Sequence, residues 1–238
     1  MKLKLGLLFG LPLVALLCVA QVQAAPPAGM SEKVAALKKA LQQNQLSLKQ
    51  YEWVETVTVS KGGDQKSQKQ FRCYYGVDGT LQKIELNSTQ DQDQGGGRPR
   101  GLIRRQIMKD KKEEMVDYMQ SANALIKKYI PPQAALIQAA AQANKISIKP
   151  GDGNIQLIVQ DYILPGDSLD IGLNMAKPEV TALSVNSYLE DPKDIVTLKV
   201  SFSNLPDGTS YTQQTVMDAK KKDITVTTVN SGYRKMSN

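Results

Sequence analysis

The chain has 238 residues, of which 41% are hydrophobic and 22% charged, with 30 lysines and arginines against 23 acids for a net charge of +7. It contains no histidine, which excludes Ser-His and Cys-His nucleophile pairs, histidine acid–base work and most zinc and iron sites. Two cysteines, Cys18 and Cys73, cannot build a thiolate cluster, and no metal or other cofactor is expected.

The first residues read as a secretory leader: Lys2 and Lys4, an apolar run from Leu5 to Ala20, then Val22-Gln23-Ala24 in the small-x-small pattern that precedes a signal-peptidase cut. The run is short for a membrane span and Pro12 interrupts it. Leu17 stands before Cys18 where lipoprotein processing needs a small side chain, so acylation of that cysteine is rejected. Residues 1–24 are therefore expected to be removed, cleavage falling after Ala24 or Ala25. Residues 25–238 are expected to form a single domain in the periplasm or outside the cell, with no transmembrane anchor. Cleavage takes away two lysines and no acid, leaving +5. That charge is spread along the chain instead of alternating with exposed aromatics, and no nucleic-acid partner is expected.

Met30 to Gln50 has helical spacing, with Ser31 as N-cap and Val34, Leu37, Leu41 and Leu48 on one stripe. From Tyr51 the period changes to two. In YEWVETVTV, the residues Tyr51, Trp53, Val57 and Val59 share a strand face, with Glu55 the exception. After a turn at Lys61 to Asp64, a second strand from Lys66 to Val77 puts Phe71, Cys73, Tyr75 and Val77 on one face. Asp78-Gly79 then predicts a two-residue hairpin with both central positions at positive φ, returning through Thr80 to Leu86. Cys73 has three readings: a small apolar core residue, half of a bridge to another chain, or a reactive thiol. Its alternation with Phe71 and Tyr75 favours the first.

Asn87 to Gly101 is polar and glycine-rich and reads as a loop without a phosphate-binding motif. A helical insertion follows over about 102–144. Its first helix, Leu102 to Tyr129, carries a stripe of Met108, Met115, Met119, Ala122, Ile126 and Tyr129 and ends at Pro131-Pro132. Its second, Ala-rich helix runs from Gln133 to Asn144. The methionines suit either core packing or a pliable apolar surface. Arg98, Arg100, Arg104, Arg105, Lys109, Lys111 and Lys112 place seven cations within fifteen residues, read as a solvated helix start or, alternatively, a contact for anionic headgroups.

Strands resume after Lys145: Ile155 to Gln160, Leu169 to Leu173, Glu179 to Leu189, Ile195 to Ser203, Thr209 to Met217 and Asp223 to Val229. Short turns between the last four force an antiparallel meander. The pattern predicts an α+β fold: a curved antiparallel sheet of about nine strands, an incomplete β-barrel, whose apolar face is covered by the N-terminal helix and the helical insertion.

The leader, the helix SEKVAALKKALQQNQLSLKQ, the aromatic strand YEWVETVTV, the hairpin QKQFRCYYGVDGTLQKIEL and the terminal meander ending ITVTTVNSGYRKM together resemble the LolA/LolB-like superfamily of periplasmic lipoprotein carriers and RseB-like sensors. That resemblance implies a half-barrel with a helical lid and a concave interior that takes acyl chains of lipids or lipoproteins. Residues 87–144 are longer and more basic than such a plan requires.

The expected function is a non-enzymatic carrier or sensor for a lipid, a lipoprotein or another apolar ligand. The alternative is a cell-envelope protein-interaction module whose sheet is filled by its own helices. Tyr51, Trp53, Phe71, Tyr75, Met115 and Met119 are the candidate cavity wall, and Arg100, Arg104, Arg105 and Lys109 the candidate anionic contact. The partners expected are a lipid or acylated protein, or an envelope protein. An enzyme built on Glu52 and Glu55 is the weakest reading, because nothing pairs them with a nucleophile.

Overall fold

The computed structural model describes residues 30–90, 101–151, 154–174, 176–177 and 179–236, and their side chains except at 30–38, 88–90 and 101–112. The expected leader and Arg100 lie outside the described residues. So do the side chains of Arg104, Arg105 and Lys109.

Helix α1 (Met30–Leu48) leads into three strands joined by hairpins, β1 (Tyr51–Lys61), β2 (Asp64–Tyr75) and β3 (Leu81–Gln90). Helices α2 (Gly101–Ile126) and α3 (Ala134–Gln142) then carry the chain to β4 (Ile146–Pro150). From there β5 (Asn154–Gln160), β6 (Ser168–Asn174), β7 (Glu179–Tyr188), β8 (Ile195–Asn204), β9 (Ser210–Ala219) and β10 (Ile224–Lys235) step back. The result is one ten-stranded sheet in the order β3-β2-β1-β10-β9-β8-β7-β6-β5-β4, every pair antiparallel and the ends not joined into a barrel. The first and last strands meet in its interior, from Tyr51 opposite Lys235 to Lys61 opposite Ile224.

Alternation in the meander decides which face is dry. Val196, Leu198 and Val200 of β8 lie opposite Ala219, Met217 and Thr215 of β9 and opposite Ser187, Val185 and Leu183 of β7. Paired residues share a face, so this row continues through Leu169 and Ile171 of β6 to Val159 of β5. Onto it pack Ala122, Leu125 and Ile126 from the end of α2, Tyr129 and Ile130 after it, and Ala140 of α3. Each such aliphatic side chain contributes about 1.5–3 kcal/mol on burial, so this layer is the main source of stability.

Polar contacts pin the helices over it. Asn44 of α1 donates its amide to the Ser210 carbonyl (2.8 Å) and accepts the Ser210 N–H (2.5 Å). The Tyr118 hydroxyl donates to Asp194 (2.5 Å), whose burial with that carboxylate raises the phenol's pKa. Asp167, buried in the β5–β6 connection, accepts the backbone N–H groups of Tyr162 (2.5 Å), Ile163 (3.1 Å) and Leu164 (2.6 Å) together with the hydroxyl of Tyr129. One carboxylate thereby closes a loop and ties the end of the α2 region to it.

Three expectations need correction. The β2–β3 connection is not a two-residue turn: the strands stop at Tyr75 and Leu81, and only Gly79 has positive φ (74°). Asp78 instead accepts the Thr80 N–H (3.0 Å) and hydroxyl (2.8 Å), which stabilises a longer loop and leaves Val77 fully exposed, off the face of Phe71, Cys73 and Tyr75. The sheet has ten strands instead of about nine, the additional one being β4. ISIKP alternates Ile146 and Ile148 with Ser147 and Lys149, but it is only five residues long, ends in Pro150 and leaves Ile148 exposed, so the pattern is too short to mark a strand.

Candidate functional site

Alternation along β1 aims Tyr51, Trp53, Glu55, Val57 and Val59 at the concave side. Cross-strand pairing sets Cys73 beside Trp53 and Phe71 beside Glu55, with Lys83 and Glu85 of β3 next in line. β10 would present its even-numbered residues here, as it does at Val226 and Thr228, but Gly232 interrupts the alternation at φ 64°. The register moves from Val54 opposite Ser231 to Glu52 opposite Arg234, one extra residue in β10. This bulge turns Tyr233 inward. Its ring stacks on Trp53 at 5.4 Å and 13°, while Trp53 also meets Tyr75 at 5.8 Å and Tyr233 meets Tyr211 at 4.4 Å. Burial pushes the phenols of Tyr233 and Tyr75 above their ordinary range, so both are neutral walls at neutral pH.

Beside this wall lies an ion pair. Glu55 is 2% exposed, and both of its carboxylate oxygens accept from Lys83 Nζ, at 2.7 and 2.8 Å, the lysine side chain being 17% exposed. The odd residue of the apolar strand face is thus neutralised in place. Cys73 is wholly buried, and burial pushes its thiol up to about 12, with the Glu55 carboxylate adding to the effect. A thiol in that state is not a nucleophile. We expect no labelling of Cys73 by iodoacetamide in the native protein and full labelling in denaturant. The raised value also sets a pH window: stability is intact below the unfolded thiol's value of about 8.5 and falls as pH climbs towards 12. Cys73→Ala is expected to flatten the decline in urea-unfolding stability above about pH 9, and an unchanged slope would refute the assignment.

At the rim, Tyr51 donates its hydroxyl to Asp207 (2.5 Å), which also pairs with Lys235 (3.2 Å). The hydrogen bonds from Tyr51 and Thr209 hold the Asp207 carboxyl well below the usual carboxylate range. Glu52 points to the convex side, where Arg72 (2.6 Å) and Arg234 both donate to it and lower its pKa. Glu52 and Glu55 therefore sit on opposite faces, each neutralised by cations, and do not form the paired carboxylates of an acid–base site.

The candidate wall residues fall into two groups. Tyr51 and Trp53 are buried and Tyr75 and Phe71 half-buried along the β1–β2 part of the concave face. Met115 and Met119 pack from α2 against the main core. Tyr233, Tyr211 and Lys83 belong with the first group and were not picked out by periodicity. Ser231-Gly232 inside a strand pattern was the available signal, since glycine there marks a bulge. A shallow depression of about 240 Å³ lies on the other face, over Gly172 and Ala182 between Gln156, Asp170 and Ser184.

Among the described residues no helix is long and apolar enough to cross a membrane. No family model matches the sequence, and no curated protein matches it. Solved structures similar to the chain include a DUF1329 family protein from Desulfovibrio piger, 10% identical, covering 84% of this chain and 92% of that one with a TM-score of 0.33. Another is a LolA superfamily protein from Nitrosomonas europaea, 8% identical, covering 83% of this chain and 94% of that one with a TM-score of 0.35.

Proposed function

We propose that the protein is an exported, non-enzymatic carrier or sensor that holds an apolar chain on the concave face of β1 and β2. The observation that carries this reading is the contrast between the two halves of that face. Over β5 to β10 it is filled by α2 and α3, and half-buried Val57 and Val59 pack at the margin of that core, whereas half-buried Phe71 beside the aromatic wall lies beyond it. An acyl chain laid there gains roughly 0.8 kcal/mol per buried methylene, so about fifteen methylenes give micromolar binding after an association cost of about 4 kcal/mol, and about ten give weaker binding. The neighbouring charges are already paired, which leaves the surface receptive to a neutral, apolar guest. In this reading the leader is cut after Ala24 or Ala25 and the protein works in the periplasm. The basic sequence at the start of α2, with Arg104, Arg105 and Lys109, and Arg100 before it, supplies the cations that an acidic lipid headgroup or acylated protein would require.

Trp53 is the chain's single tryptophan and lies in the wall, so it reports occupancy directly. Native mass spectrometry of protein purified from the periplasm without detergent is expected to show a lipid or acylated-peptide adduct. Titration of the delipidated protein with dodecanoate is expected to shift Trp53 emission to saturation. A bare protein mass together with unmoved emission would overturn the proposal. The filled half of the face favours a second reading, an envelope interaction module, and that outcome would select it.

A further inference from the structure

The two ends of the sheet are unlike. The β4 end is five residues long and finishes in Pro150, which has no N–H to offer, so it makes a poor template for another strand. The β3 end is ten residues long and carries exposed Ile84 (47%) on its convex side, with exposed Leu86 (54%) two residues on. On the concave side Lys83 and Glu85 alternate with them. A register shift opposite Gln70 and Phe71 places a bulge at Leu86, so regular pairing along the outer edge is confined to Leu81 to Leu86.

We propose that this edge pairs with the same edge of a second copy, antiparallel about a two-fold axis at Ile84. Self-pairing in that register sets Lys83 opposite Glu85 of the other copy twice over, Ile84 opposite its own mate, and Gln82 opposite Leu86. Every charge on the edge meets its opposite, and the exposed apolar side chains gather at the axis, with Leu86 diagonal to Ile84. Moving the axis by one residue either way places Glu85 against Glu85 or Lys83 against Lys83, so the charges select the alignment. Main-chain geometry agrees. Gly76 N–H bonds to the Thr80 carbonyl (2.9 Å), and hydrogen-bonded pairs alternate along a hairpin. Counting from there, Gln82 and Ile84 bond to β2, and the backbone groups of Lys83 and Glu85 face outwards, where the two-fold brings them together. Lys83 keeps Glu55 and Glu85 keeps Lys69 (3.3 Å), so the dimer joins two existing pairs into one network. The short β4 edge cannot complete a head-to-tail array, and the assembly closes at two.

The register dictates the test. Facing strand residues lie about 4.5–5.5 Å apart at Cα, within disulfide range. Ile84→Cys is expected to give a bridged dimer under mild diamide oxidation, while Leu86→Cys, whose mate is Gln82, stays monomeric alone and bridges when mixed with Gln82→Cys. Buried Cys73 does not compete. By light scattering, the unaltered protein at roughly 100 μM is expected to approach twice the monomer mass, as a short interface requires, with Ile84→Lys remaining monomeric at an unchanged melting temperature. A monomer at every concentration overturns the proposal and assigns the edge to a strand from a different protein. Equal bridging of Ile84→Cys and Leu86→Cys alone, which marks random collision, overturns it as well.

Discussion

Lys83→Met is expected to lower stability by about 3–5 kcal/mol, because the Glu55 carboxylate would remain in a dry aromatic surround without the cation that now satisfies both of its oxygens. For a domain of this size that corresponds to a fall in melting temperature of roughly 10 °C. The double substitution Glu55→Leu with Lys83→Met removes both charges and fills the space with apolar atoms, and it should recover most of the loss. Thermal unfolding of the two single variants and the double variant measures the coupling. A Lys83→Met cost under about 1 kcal/mol would show that water reaches Glu55 and that the wall is open there. Dodecanoate affinity of the double variant is informative too, since a uniformly apolar wall should bind the chain at least as well.

Asp167→Ala is expected to cost about 4 kcal/mol or more. Three backbone N–H groups and the Tyr129 hydroxyl lose their acceptor in a place that solvent does not reach, and each orphaned donor costs about 1–3 kcal/mol before relaxation. Asp167→Asn keeps one good acceptor and should cost less. Tyr129→Phe leaves the carboxylate its three N–H donors but takes the partner from Ser187, which lies 2.7 Å from the phenol, and should cost about 1–2 kcal/mol. The order Asp167→Ala, Asp167→Asn, Tyr129→Phe in chemical denaturation is the result to check. A Tyr129→Phe variant as unstable as Asp167→Ala would mean that the tie to the helices matters more than the loop.

The parts of the fold that were legible are those where one period runs unbroken. Val196, Leu198, Val200 and Phe202 announce their strand face without help from elsewhere, and the short connections among the last four strands force the meander. Tyr51 and Trp53 were found the same way. What was hidden depends on a break in period or on a distant partner. Tyr233 has the wrong parity for the inner face until the extra residue at Gly232 is counted. Glu55 looked like a flaw in an apolar strand because its cation is 28 residues downstream on another hairpin. Asp167 sits in a loop of ordinary turn residues, and nothing local says that a tyrosine 38 residues upstream will reach it. Asp78-Gly79 misled for a related reason: the aspartate side chain caps the backbone itself, so only the glycine needs the left-handed conformation.

The seam between β1 and β10 also sets an order of events for the growing chain. The meander from β4 to β10 can zip together from neighbouring hairpins, but β1, β2 and β3 gain their place in the sheet only through β10, which is the last strand to emerge. Until then YEWVETVTV is a bare, sticky strand separated from its partner by most of the chain, and closing so long a loop is slow. Productive collapse must therefore wait for the final dozen strand residues, which makes the earliest hydrophobic strand the one most in need of a chaperone.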